Sequence, residues 1–209
     1  MLKTVKKTKK IDLRKEYKYL YAPSPKKVEI VDVPELKFIM IDGLGDPNSA
    51  AFQSAVQSLY NLSYTTKFTQ KFKEGIDYPV MALEGLWWVG NNPDEFDLNA
   101  RDKWNWTLMI MQPPFITEKI LDETVSTLKE KGKQVDNFGL KNFREGLSAQ
   151  IMHMGPYSTE SGTIEKIREF MRENSYSLNG KHHEIYMGDP RRTAPARLKT
   201  ILRQPIKKI

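Results

Sequence analysis

Two groups of residues in this chain have the types and the spacing to do chemistry. The first is aromatic. Trp87-Trp88 and Trp104…Trp106 account for all four tryptophans. They fall at the end of one predicted strand and the start of the next, so a hairpin would bring them together. Trp104 and Trp106 are two apart and share a strand face. Indoles offer apolar area, a polar edge and a π face that attracts planar or cationic groups. Any one of these rings could equally fill a core; four of them beside one hairpin favour a pocket wall.

The second group is His182-His183-Glu184-Ile185-Tyr186-Met187. In a strand, His182, Glu184 and Tyr186 point one way and His183, Ile185 and Met187 the other. A glutamate among strand formers is costly to bury without a partner. Facing a cleft, it could hold a cation or activate a water, with a carboxyl pKa raised by apolar surroundings. Facing solvent, it would be an ordinary strand residue, and spacing leaves both readings open.

Other chemistries lack their residues. There is no cysteine, which excludes disulfides and thiolate metal sites. Adjacent His182 and His183 face opposite sides of a strand, and His153 completes no ligand set, so no metal is expected. No P-loop, dinucleotide fingerprint or Gly-x-Ser-x-Gly is present, and no cofactor is expected. Asp94-Glu95-Phe96-Asp97 lacks the glycine and spacing of a calcium loop and reads as a solvated loop tip.

The elements that must position these residues follow from periodicity. Tyr17, Tyr19 and Tyr21 alternate, which suits a short strand or an arm pressed on the surface. From Val28 to Ile41 the pattern is strand, kink at Pro34, strand. Phe52, Val56, Tyr60, Tyr64, Phe68 and Phe72 recur every four residues, with Leu59 beside them, and predict one apolar stripe on a helix ended by Gly75. Strands are expected over 80–89 and 104–111, joined by a long polar loop, and a helix after Thr117. The second half then repeats the first: strand 147–154, a turn at Gly155-Pro156-Tyr157, a helix through Ile164, Ile167 and Met171, strand 182–187, a short helix 193–200 and strand 201–206. Glu35 and Glu145 precede the two turns by the same interval. The expected fold class is α+β: duplicated strand-helix-strand-strand units, about 28–115 and 140–207, forming a curved antiparallel sheet with helices on one side and a pseudo-twofold central cleft.

Charge placement limits the partners. The chain carries +7 overall, but residues 1–27 hold nine Lys and one Arg against Asp12 and Glu16. The body, 28–209, is therefore nearly neutral, and the basic character belongs to an N-terminal arm over 1–27. No basic, aromatic-interleaved stripe continues into the body, so a solvated or rim-packed arm is favoured over DNA contact. No apolar run approaches the roughly 20 residues of a membrane span, and none follows the basic N-terminus as a secretory signal would require. A cytoplasmic location is the default expectation.

The run His153-Met154-Gly155-Pro156-Tyr157, the helix after it, Glu184-Ile185-Tyr186-Met187-Gly188-Asp189-Pro190 and the stretch Glu84-Gly85-Leu86-Trp87-Trp88 together resemble the GyrI-like small-molecule-binding family over roughly residues 28–207. The resemblance implies two strand-helix-strand-strand repeats around a cleft for planar or cationic compounds, with a late-strand glutamate, matched by Glu184, as polar anchor. It also implies several activities. Some relatives are effector domains of multidrug-responsive regulators, but a Lys-rich segment of 27 residues does not supply their helix-turn-helix. Others resist toxins or inhibit DNA gyrase. A subset similar to this chain hydrolyses the cyclopropane of DNA-alkylating natural products of the yatakemycin and duocarmycin type. The expected site has Glu184 as general base and Tyr186 as donor, with Trp87, Trp88, Trp104, Trp106, Tyr157 and His153 around a small-molecule substrate. The alternative is a sequestering protein without chemistry, or one whose partner is DNA gyrase.

Overall fold

The computed structural model describes residues 9–94, 96–97, 100–133, 135 and 137–209. A short strand β1 (Lys9–Lys10) and two single-turn helices, α1 (Leu13–Glu16) and α2 (Lys18–Tyr21), precede a long strand β2 (Glu29–Leu44). The alternating tyrosines therefore sit on helical turns, not on a strand. Asp12 caps α1 by accepting from the Lys15 N–H, and Leu13, Leu20 and Tyr21 are buried with the main core. Burial of these three side chains outweighs the period-2 pattern.

β2 is one strand rather than two. Its ladder with β6 (Phe138–Met154) pairs Val33 with Gly146 and Glu35 with Arg144, skipping only Pro34, which has no N–H to donate. Helix α3 (Ala50–Thr69) follows, capped by Ser49, and continues through a π-helical turn to Gly75, whose left-handed backbone (φ 72°) ends it. Its aromatic stripe does not stay on one face. Four residues advance about 400° around a helix of 3.6 residues per turn, so the stripe drifts about 40° per step. Phe52 is in the core, whereas Tyr64, Phe68 and Phe72 are exposed and lie ring beside ring at centroid separations of 6.3 and 6.1 Å. Leu59 and Leu62 bury the helix in their place.

After a short β3 (Ile76–Asp77), β4 (Leu83–Val89) and β5 (Trp104–Gln112) pair as the expected hairpin, and α4 (Glu118–Glu130) follows its Thr117 cap. The second half is β6, α5 (Ser161–Glu173), β7 (Tyr176–Leu178), β8 (His182–Tyr186) and β9 (Lys199–Lys208). Only one 3-10 turn, Pro195–Arg197, forms where a helix over 193–200 is expected, because β9 begins at Lys199.

The sheet is more closed than the expected open curve. Its order is β6-β2-β5-β4-β8-β9-β7, and β9 also pairs with β6, so the first six strands complete an antiparallel barrel and β7 pairs with the end of β9. Side chains alternate between two apolar environments. The inner face carries Phe38, Met40, Met109, Met111, Ile185 and Ile201, joined by Leu20 and Tyr21 of the N-terminal turns. The outer face packs under α3 and α4, and, in a separate cluster of Ala149, Ile151, Ile164, Ile167 and Leu202, under α5.

Candidate functional site

The outer face between α3 and α5 gathers most of the residues singled out by type. Register places Trp87 opposite Trp106, Trp106 opposite Gly43, and Gly85 opposite Glu184. The two glycines make room for the indoles. A β-carbon on Gly85 would stand 2.8 Å from Trp87 Nε1, and one on Gly43 would stand 2.1 Å from carbons of the Trp106 ring. Both rings thus lie flat against the sheet. Phe52 of α3 covers them, stacking on Trp87 at 5.7 Å and meeting Trp106 edge-on at 5.2 Å. Trp104 meets Trp87 edge-on, and its indole N–H donates to the Asp97 carbonyl at 2.7 Å.

Trp88 is not part of this cluster. It is adjacent to Trp87 on a strand and so faces the other way, where the Lys181 ammonium sits 3.4 Å from its ring centre.

Glu184 and Tyr186 share the outer face, and the Tyr186 hydroxyl donates to Glu184 Oε2 at 2.7 Å. His182 Nε2 is 3.4 Å from Glu184 Oε1, and Phe96 stacks on the imidazole at 4.4 Å. A cavity of about 240 Å³ adjoins His182, walled by Phe96, Ile164, Ile167 and Leu178. Tyr157 meets Tyr186 edge-on at 5.6 Å at the exposed border of the cluster. His153 is buried and fully engaged: Nδ1 lies 2.8 Å from Thr163 Oγ1, and Nε2 lies 3.2 Å from both the Pro156 carbonyl and Thr159 Oγ1. It ties the end of β6 to the turn that carries Tyr157.

One residue absent from the sequence reading completes the set. Glu160, at the N-cap of α5, makes no capping hydrogen bond. Its side chain is buried, and Oε1 has no partner. Burial, reinforced by the charge of Glu184, pushes its carboxyl up to about 9, so it holds its proton at neutral pH. Burial and the charges of Glu160 and Glu184 also push the Tyr157 hydroxyl up to about 12 and that of Tyr186 well above its ordinary value. The signal in the sequence was Glu160 itself, three residues beyond the Gly155-Pro156-Tyr157 turn and at a helix start, where a glutamate reads as an unremarkable cap.

Trp87 Nε1 and Trp106 Nε1 are likewise buried with no partner. A buried donor left unsatisfied costs about 1–3 kcal/mol, and native interiors hold few of them. Two indole N–H groups and a carboxyl oxygen on this sheet face are therefore without protein partners.

The inner face holds a second polar cluster. His183 is 2.9 Å from Glu145 Oε1 through Nδ1 and 3.1 Å from Glu84 Oε2 through Nε2. Arg203 pairs with Glu145 Oε2 at 3.0 Å, donates to Gln150 at 3.0 Å, and donates to the Leu20 carbonyl at 2.7 Å. The Tyr21 hydroxyl donates to Glu84 at 2.6 Å. Burial alone would lower His183, but Glu145 and Glu84 raise it to about 9; burial alone would raise Glu145, but His183 and Arg203 together hold it at about 2. Every charge here has an opposite charge or a hydrogen bond, so this cluster braces the barrel. Its Glu145 is buried, whereas Glu35, at the matching interval in the first half, is exposed and bonded to Asn142. Among the described residues, no group of three or more His, Asp or Glu is arranged to hold a metal ion.

The family model of the GyrI-like small molecule binding domain matches residues 26–207. The chain belongs to the GyrI-like family. This GyrI-like domain is similar to an uncharacterized conserved protein from Listeria innocua, with 41% identity and a TM-score of 0.87 over 94% of this chain and 100% of that one. It is also similar to a hydrolase encoded by lin2189 from Listeria innocua, with 40% identity and a TM-score of 0.85 over 95% of this chain and 100% of that one. The C-terminal domain of EcmrR shares the fold at 11% identity and a TM-score of 0.60, over 88% and 98% of the two chains. Comparison with curated proteins gives no match. No helix among the described residues is long and apolar enough to cross a membrane.

Proposed function

We propose that this GyrI-like domain is a hydrolase that opens the activated cyclopropane of flat, DNA-alkylating toxins, in a cleft between its two strand-helix-strand-strand halves. The observation that carries the reading is Glu184, hydrogen-bonded to Tyr186 and set beside an indole-covered sheet on which the Trp87 and Trp106 N–H groups are unpartnered. The 40% identity to a hydrolase supports it.

The chemistry requires few groups. The cyclopropane is strained and conjugated to a dienone, so water attacking the ring carbon expels a phenolate. The Glu184 carboxylate takes the proton of that water as it attacks. Trp87 and Trp106 lie flat and hold the planar substrate so that water meets the carbon in line. Phe52 and Phe96, which cover this face, must swing aside for a ligand to enter. Tyr186 gives its one hydroxyl proton to the carboxylate and holds it in place, and the unpartnered N–H groups of Trp87 and Trp106 are the source of donors for the developing oxyanion. Hydrolysis of the toxin would protect the DNA of the cell that contains the protein.

Incubation with a cyclopropane-bearing dienone, followed by mass spectrometry, tests the reading. Product heavier by one water, formed by the parent and not by Glu184→Gln, is the expected result. Ligand returned unchanged sinks the hydrolase and leaves a sequestering protein. A gyrase-directed activity that survives loss of Glu184 would point to a surface elsewhere on the molecule.

A further inference from the structure

Resting on that hydrolase reading, we infer that Glu160 is the acid of the reaction, donating its proton to the leaving oxygen while Glu184 acts as base. Two observations on the geometry support it, and the electrostatics agree with them. Glu160 stands at the start of α5 with helical backbone angles and makes no capping hydrogen bond; its side chain is buried beside Thr200 of β9. It is buried, with Oε1 unpartnered. It lies close enough to Glu184 to feel its charge. A buried glutamate with one oxygen unpartnered, under the influence of a second carboxylate, has no structural account in the fold.

The surroundings divide the two carboxyls into different roles. Glu160 faces Glu184 and Tyr186 from β8, Tyr157 from its own turn, and Thr200 from β9, and no cation is among these groups. Glu184 accepts a hydrogen bond from the Tyr186 hydroxyl, and the His182 ring lies 3.4 Å away with its Nε2 unpartnered. Two nearby carboxyls do not both ionise readily, and the more deeply buried of the two, Glu160, keeps the proton. Tyr157 and Tyr186, whose hydroxyls are held protonated, are poorer acids than Glu160.

The step balances. The water oxygen bonds to the ring methylene, and the carbon–carbon bond of the cyclopropane breaks. Its electron pair passes through the dienone to the carbonyl oxygen. Glu184 takes the proton that the water loses, and Glu160 gives one to that oxygen, so a neutral phenol leaves with one water added. Transfer of the proton from Glu184 back to Glu160 restores both groups.

The test is a pH–rate profile on the cyclopropane dienone with the parent protein, Glu160→Gln, Glu160→Asp and Glu184→Gln. The parent rate should fall as pH rises through about 9, where Glu160 loses its proton. Glu160→Gln should lower kcat about 10²-fold with KM little changed, abolish that alkaline fall, and make the rate more sensitive to the acidity of the leaving phenol. Glu160→Asp should recover part of the rate and the alkaline limb. A Glu160→Gln variant with the parent kcat and alkaline limb overturns the inference while hydrolysis stands. If Glu160→Gln fails to fold, a parent profile flat from pH 7 to 10 overturns it alone. Loss of hydrolysis from the parent itself overturns the hydrolase reading and the inference together.

Discussion

The Tyr186 hydroxyl donates to the Glu184 carboxylate at 2.7 Å, two residues along the same strand face. An i, i+2 pair on a strand keeps its geometry as long as the strand does, so the carboxylate is held by the backbone of β8 rather than by a loop. Glu184→Gln should therefore keep the fold and ligand binding while losing about 10²–10⁴-fold in turnover, measured by single-turnover hydrolysis and by equilibrium binding of the dienone. Tyr186→Phe removes one donor among several and should cost less.

Gly43 and Gly85 set how close Trp106 and Trp87 lie to the sheet. Gly43→Ala and Gly85→Ala put a methyl group where an indole now rests. Overpacking of this kind costs about 1–3 kcal/mol. We expect a lower Tm, a shifted tryptophan emission and weaker ligand binding in both variants. Unchanged emission would show that the rings are not held by these contacts.

His183 and Glu145 set opposite limits on stability. His183 is held at about 9 against an ordinary 6.5, so its contribution is complete below pH 6.5 and is lost as pH rises through 9. Glu145 is held at about 2 against 4.5, so its contribution is complete above pH 4.5 and is lost as pH falls through 2. Chemical denaturation across pH 2–10 should give greatest stability between about pH 4.5 and 6.5 from this pair. His183→Gln should flatten the alkaline decline.

Arg203→Met leaves Glu145 Oε2 and the Leu20 carbonyl without their donor. Removing one partner of a buried ion pair costs about 3–5 kcal/mol. Tyr21→Phe strips one donor from Glu84 and should cost about 1–3 kcal/mol. Midpoints of denaturant unfolding would rank the two, and equal values would show that the N-terminal turns matter as much as the ion pair.

The strands and the helices α3, α4 and α5 were legible because apolar spacing follows each element's own period. The hairpin and the shared face of Glu184 and Tyr186 followed from the same rule. What spacing could not express was closure. Whether β9 meets β6 depends on curvature accumulated over six strands, and no local residue reports that sum. The inward packing of Leu20 and Tyr21 was hidden for a related reason. Their partners Arg203 and Glu84 are far away in sequence, while the nearby lysines suggest a solvated arm. Trp88 and Glu160 show the two remaining limits: adjacency along a strand separates side chains that composition groups together, and a residue at a common capping position gives no sign that it does not cap.

The contact from Arg203 to the Leu20 carbonyl spans 183 residues. β9 supplies that arginine and also seals the barrel on both of its own sides, against β6 and against β8. Until β9 docks, both neighbours expose unpaired strand edges, and Glu145 and His183 are a charged pair lacking the third member. Native order thus depends on pairings between distant parts of the chain, a topology that folds slowly because loop closure is lost before the contacts return it. Folding intermediates of this domain carry open edges beside apolar strands, and their fate is a race between arrival of the last strand and pairing with another molecule.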